Sequence, residues 1–181
     1  GTTGLVAQSQ DEDAAAQIAK IMVRGLVLAF TIGIIIILAT PVITSIAVTV
    51  FSASQLVESL MVDYATIRLL AAPAALSNMV LLGVLYGRQQ MFGGMLLLLI
   101  VNLINLVLDF VFVLGLGMAV SGVAIASVVA QWSGFLFIIW YINRPGSHIG
   151  FGRFFEINLF LSAIRDRVAY RRFFGLGRDI F

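Results

Sequence analysis

The sequence predicts an all-α integral membrane protein, a polytopic helix bundle, and three observations lead to that prediction. Of the 181 residues, 61% are hydrophobic and only 11% are charged, whereas soluble domains carry about 25% charged residues. The mean hydropathy is +1.07. Long uncharged runs without the alternation of barrel strands lie between isolated charged residues. The chain is therefore expected to lie in lipid.

Four transmembrane helices are predicted between residues 14 and 143, at about 16–46, 56–87, 91–115 and 119–142. Each run reaches, or nearly reaches, the roughly 20 residues that a helix needs to cross a bilayer. Pro41 is expected to end or kink the first helix, and Pro73 to kink the second. The segments "YGRQQMFGG" and "GLGMAVSG" are predicted to connect the later helices.

The two flanking segments differ from the four-helix core. Residues 1–9 are interpreted as the end of a preceding transmembrane helix, and residues 144–181 as a basic, amphipathic linker on the cytoplasmic face. The first and last residues suggest a piece of a longer protein.

The basic residues predict the orientation of the bundle. With four crossings, Lys20, Arg24, Arg88 and the arginines from Arg144 onward fall on one side, and Arg68 lies at a membrane entry on the other. Because cytoplasmic loops are enriched in Lys and Arg, both ends of the four-helix core are expected in the cytoplasm. The expected location is the inner (plasma) membrane.

Several classes of chemistry lack their sequence signals. The chain has no cysteine and a single histidine, His148, so no cysteine or histidine metal cluster is predicted. We find no phosphate-binding loop, dinucleotide fingerprint or hydrolase triad. The sequence predicts no enzyme, catalytic residue, metal site, cofactor or nucleic-acid partner.

The third predicted helix carries a polar stripe in an otherwise aliphatic segment. Asn102, Asn105 and Asp109 are spaced i, i+3 and i+7, which places them within an arc of about 60° on one helix face. A charge at mid-membrane costs about 2.5–3.5 kcal/mol, so the stripe is expected to face a bundle interior or a wet cavity. Such a carboxyl can exchange a proton or bind a cation. The alternative is that the amides and a neutral Asp109 hydrogen-bond between helices, or that Arg68 pairs with Asp109.

Two other helices offer candidate partner residues. Tyr64, Arg68 and Asn78 share a stripe on the second predicted helix, and Ser127 and Gln131 lie one turn apart on the fourth. Tyr64 is either an interfacial anchor or a hydroxyl donor in a cavity. The small residues near Ser127 are typical of close helix packing.

The order of motifs resembles the MATE (multidrug and toxic compound extrusion) family, most closely its DinF-like branch. The resemblance is carried by "GTTGLVAQ", "YATIRLLAAPAALSNMVLLGVLYG" and "NLINLVLDFVFVLGLGMAVSGVAIAS", and it covers essentially the whole chain. It implies the partial N-terminal lobe of a twelve-helix transporter, from late in helix two to the start of helix seven. The first helix and the C-terminal lobe would then belong to the parent chain.

The resemblance also implies a function and a site. Family members export amphipathic, often cationic small molecules by alternating access, coupled to H⁺ or Na⁺. Residues that match Tyr64, Asn105 and Asp109 form a polar pocket in relatives, and Ser127 is a weaker match. Asn102 and Asn78 join the predicted substrate- or ion-binding set on helical spacing alone. A relative's further acidic residue lies on the first helix, which this sequence does not include.

Two alternatives stay open at this stage. The parent protein could be a lipid-linked precursor flippase of a related fold, although such cavities tend to be richer in cations. The chain could also be a non-transporting membrane fragment that partners another subunit.

Overall fold

The computed structural model describes residues 2–3, 14–51 and 54–143. Its helices are α1 (Ala14–Phe51), α2 (Gln55–Leu69), α3 (Ala72–Gly87), α4 (Met91–Asp109) and α5 (Ala119–Asn143), with a π-helical segment, Phe110–Gly115, after α4. The described residues contain no strand, and the predicted all-α class is confirmed. Of the predicted segment 1–9 only Thr2 and Thr3 are described, and the predicted linker 144–181 lies outside the described residues.

Helix α1 runs through Pro41 and ends at Phe51, so of the two predicted effects of this proline, ending the helix or kinking it, the first was wrong. The helix also extends beyond the predicted end at about residue 46. Proline removes one backbone donor inside a helix, and side-chain hydroxyls supply donors around it. Thr44 Oγ1 donates to the carbonyls of Thr40 (3.0 Å) and Pro41 (3.1 Å). Ser45 Oγ donates to the same Pro41 carbonyl at 2.8 Å. These carbonyls are next to the proline but do not include that of Ile37, which Pro41 leaves without its helical donor. Hydroxyl bonds of this kind are associated with bending of a helix.

The second predicted span is broken rather than smoothly kinked. Helices α2 and α3 meet at an angle of 48° across Leu70 and Ala71. Pro73 lies in the first turn of α3, where a residue without an N–H is tolerated because that donor has no intrahelical partner. Helix α2 closes with tight turns, in which Leu70 N donates to Ile67 O (3.1 Å) and Ala71 N to Arg68 O (3.2 Å).

The helices pack around an aliphatic core at one end of the bundle. Its members come from α1, α3, α4 and α5 and include the fully buried Met22, Leu81, Leu85, Leu97 and Ile138. Large apolar side chains also cover much of the outer surface, for example Leu38, Phe51 and Leu114. That surface suits lipid or further protein rather than water.

Among the described residues, three helical stretches are long and apolar enough to cross a membrane. They are Ile18–Phe51, Met91–Gly115 and Ala119–Asn143, and the α2–α3 pair adds a fourth if the bent pair counts as one span.

Candidate functional site

A hydrogen bond between two helices marks the centre of the candidate site. Asn105 Nδ2 on α4 donates to Ser127 Oγ on α5 across 3.0 Å. Ser127 is 8% exposed and Asn105 is half-buried. A small residue of α5 lets the two helices approach closely, because a Cβ added at Gly134 would clash with the Val101 side chain of α4. Two of the predicted site residues are therefore brought together.

Asp109 lies one helical turn beyond Asn105, at the last position of α4 before the backbone widens into the π-helical segment. The wider turns show in the bond from Leu116 N to Val111 O at 3.0 Å. Asp109 Oδ1 is buried and has no hydrogen-bond partner among the described residues. In this part of the chain the structure shows no ion pair between Arg68 and Asp109. π-Helical turns often occur at functional sites, and this one adjoins the ionisable residue.

Asn102 does not join this site. It is exposed, and its Nδ2 donates to the Leu98 carbonyl of its own helix at 2.8 Å. The three polar residues of α4 thus share a helix face by spacing, but their hydrogen bonds differ. Asn105 bonds another helix, Asn102 its own backbone, and Asp109 keeps a free acceptor oxygen among the described residues.

A second cross-helix polar pair lies next to the first. Asn78 on α3 is 8% exposed, and its Nδ2 donates to both the backbone O and the Oε1 of Gln131, each at 3.0 Å. Its Oδ1 is buried without a partner among the described residues. Ser127 and Gln131 are one turn apart on α5, so the two pairs follow each other along one helix.

Sequence reasoning did not include Gln131 among the candidate site residues. The available signal was its i+4 spacing from Ser127, which places both side chains on one face of the helix.

Tyr64 is half-buried on α2, one turn before Arg68. Within the described ranges no hydrogen bond joins it to Asn105, Asp109 or Ser127. Its predicted place in the pocket stays a prediction.

The donor set limits what the site can hold. Asp109 supplies a carboxylate, and neutral oxygens come from Asn105, one turn earlier on α4, and from Ser127 on α5. The described residues contain no group of three His, Cys, Asp or Glu side chains suited to a metal ion. One carboxylate with neutral oxygen neighbours matches a proton or a monovalent cation better than a divalent metal, whose sites usually combine several charged ligands.

Two known proteins are similar in sequence to this chain. DNA damage-inducible protein F of Escherichia coli (strain K12) is 34% identical over 179 residues, which are 99% of this chain and 38% of that protein. Protein DETOXIFICATION 43 of Arabidopsis thaliana is 32% identical over 107 residues, 55% of this chain and 20% of the relative. No protein-family model matches the sequence.

Two solved structures share the fold. They are the inward-facing and the outward-facing conformations of a multidrug resistance MATE family transporter of the MOP superfamily, with TM-scores of 0.74 and 0.72. Both are 24% identical to this chain and cover 90% of it. The chain is similar to MATE family transporters over nearly its whole length. The match to DNA damage-inducible protein F confirms the DinF-like resemblance, and MATE proteins are membrane transporters rather than enzymes.

The chain spans only part of the proteins it resembles, 38% of the length of DNA damage-inducible protein F and 38% and 37% of the two solved transporter chains. Within the described ranges its helices have the length and composition needed to cross a membrane, as is expected for similar transporters.

Proposed function

We propose that this chain is one part of a MATE transporter that exports amphipathic, often cationic organic compounds in exchange for H⁺ or Na⁺. The observation that supports this most is Asp109 Oδ1, an acceptor oxygen buried without a partner among the described residues. It lies one turn from the Asn105–Ser127 hydrogen bond. An intramembrane carboxyl is costly, and such groups mark ion and substrate pathways.

In the proposed mechanism Asp109 takes up the coupling ion, either as a proton on a carboxylate oxygen or as a bound Na⁺. Asn105, one helical turn away, and its partner Ser127 supply neutral oxygens, and the uptake of positive charge removes the cost of the lone carboxylate. A cationic substrate would compete for the same negative charge. Competition of this kind couples outward movement of the substrate to inward movement of the ion.

Tyr64 and Asn78 are proposed to extend the site toward α2 and α3. The exposed Asn102 would face a part of the transporter beyond this chain, or lipid. We propose that a preceding first helix and a C-terminal lobe complete the transporter, and that both ends of the four-helix core are cytoplasmic, as the basic residues indicate.

Alternating access requires that each lobe moves largely as a unit. The similarity of this chain to both conformations of the solved transporter, with TM-scores of 0.74 and 0.72, supports such behaviour. A segment that rearranged strongly between the two states would resemble one of them much better than the other.

Transport in vesicles tests the proposal. The full-length transporter is reconstituted, and movement of a fluorescent amphipathic cation is followed under an imposed H⁺ gradient, an imposed Na⁺ gradient, or neither. We expect accumulation of the dye against its gradient with one of the two ions and no accumulation without an ion gradient. Accumulation that ignores both gradients, or no dye movement under any of them, would overturn the proposal.

A further inference from the structure

The break between α2 and α3 leaves backbone groups that need partners. Pro73 has no N–H, so the carbonyl of Leu69 loses the donor that a continuous helix would give it. Leu70 and Ala71 lie between the two helices. Because lipid cannot hydrogen-bond a freed carbonyl, a broken transmembrane helix depends on neighbouring helices for donors.

Trp132 of α5 supplies such a donor. Its Nε1 donates to the Leu70 carbonyl, at 3.3 Å. The indole is held by two other rings, since its centroid lies 6.4 Å from that of Phe30 on α1 and 6.0 Å from that of Phe135 on α5. Phe30 and Phe135 are themselves in edge contact, with centroids 5.6 Å apart. The donor is therefore fixed in place by packing from both α1 and α5.

The residue before Trp132 contacts the same broken span farther along. Gln131 accepts two hydrogen bonds from Asn78, which is in the second turn of α3. Two consecutive residues of α5 thus bond the span at the break and beyond it. From the other side, a Cβ added at Gly33 of α1 would lie 2.5 Å from Pro73 Cα, so the backbones of α1 and α3 are in direct contact there.

We propose that Trp132 is a positioning residue that fixes the bend between α2 and α3. By fixing the bend, it sets the direction in which α2 carries Tyr64 relative to the site on α4 and α5. The role in holding the bend follows from the hydrogen bond and the ring contacts alone. Its consequence for the substrate, through Tyr64, rests on the proposed function.

A distance measurement across the break tests the bend directly. The sequence contains no cysteine, so spin labels can be placed by Leu56→Cys on α2 and Met79→Cys on α3, two positions that are each 71% exposed. They are introduced into the full-length transporter in lipid nanodiscs. Helix α2 is about 20 Å long, so each 10° change in the bend moves its far end by about 3.5 Å.

Trp132→Phe removes the N–H donor and retains an aromatic ring for Phe30 and Phe135. We expect the distance distribution to broaden and its mean to move by several ångströms. Trp140→Phe is the matched control, because Trp140 lies on the same helix, is 61% exposed and packs on Phe137. An unchanged distribution in Trp132→Phe would overturn the proposal, as would an equal change in Trp140→Phe.

Pro73→Ala provides a second test that does not depend on the folding of the tryptophan variant. With Trp132 intact, the proposal predicts that the bend persists after the proline is removed. A distribution that lengthens to that of a straight helix would contradict it.

Transport kinetics test the consequence for the substrate. We expect Trp132→Phe to raise the KM for the cationic dye severalfold with little change in the maximal rate, because the site is displaced rather than emptied. A shifted bend with an unchanged KM would overturn the link to Tyr64. If the unmodified transporter moves no dye, the proposed function fails, and the distance measurement still decides the role of Trp132 in the bend.

Discussion

Helical geometry is interrupted in two membrane-spanning regions, and the interruptions differ in what surrounds them. The break at Leu70–Ala71 precedes a proline, meets the backbone of α1 at Gly33 and receives a hydrogen bond from Trp132. The π-helical segment Phe110–Gly115 contains no proline, and a Cβ added at Gly115 would meet nothing within 4 Å among the described residues. The break is packed against both α1 and α5, whereas the π-helical segment has no buried residue and packs on α5, where Phe112 lies beside Gly122.

This difference matters because the less restrained interruption adjoins Asp109. A π-helical turn holds more residues than an α-helical turn. A change of this segment from π-helix to α-helix would therefore rotate the residues after it, about the helix axis, relative to the residues before it. We expect the break at Leu70–Ala71 to keep its geometry through a transport cycle. We expect the segment after Asp109 to be the place where α4 can change its shape when the carboxyl gains or loses a positive partner.

The largest effect on stability is expected at Gly33. Gly33→Ala places a methyl group against the Cα and N of Pro73, at 2.5 and 2.6 Å, and backbone atoms cannot rotate away as a side chain can. Overpacking of this kind costs about 1–3 kcal/mol. Unfolding in detergent, followed by circular dichroism, should show a lowered free energy of unfolding.

The matched control is Gly115→Ala in the other interruption. It should leave the free energy of unfolding nearly unchanged, because the added methyl group meets open space in the described structure. If both variants lowered the free energy of unfolding by the same amount, the inferred difference in packing between the two interruptions would be wrong.

A smaller effect is expected from the hydrogen bond that joins α4 to α5. Asn105→Leu removes the donor to Ser127 Oγ, and cross-helix hydrogen bonds in membranes contribute about 0.6 kcal/mol on average. A double-mutant cycle with Ser127→Ala should give a coupling energy of this order. Asn102→Leu, three residues earlier on the exposed surface of α4, should cost less, since Asn102 bonds only its own helix. A coupling energy of zero would mean that the bond does not hold the two helices together.

Some features of the structure could be predicted from the sequence because they depend on composition or on residues close together in the chain. Low charge and long apolar runs predicted the all-α membrane class, and Pro73 predicted an interruption of the second span. Asn105 and Ser127 were both candidate site residues from the sequence. The structure joins them by a hydrogen bond.

The features that could not be predicted from the sequence depend largely on contacts between segments that are distant in the chain. Helical spacing placed Asn102 with Asn105 and Asp109, but the packing of α5 against α4 decides which of them meets a partner. The π-helical segment has no proline to announce it, and the pairing of Asn78 with Gln131 appears only after α3 and α5 pack together.

The most direct test of the central claim, that Asp109 couples ion movement to export, is Asp109→Asn in the full-length transporter. The substitution keeps the size of the side chain and one acceptor oxygen, replaces the other oxygen by an NH₂ donor, and removes the charge and the ionisable proton. Dye accumulation in vesicles is measured under the gradient that drives the unmodified protein, with Asn102→Leu as the matched control on the same helix. We predict that Asp109→Asn inserts normally but loses gradient-driven accumulation, while Asn102→Leu retains it. Undiminished accumulation in Asp109→Asn, with an unchanged dependence on the imposed gradient, would contradict the account.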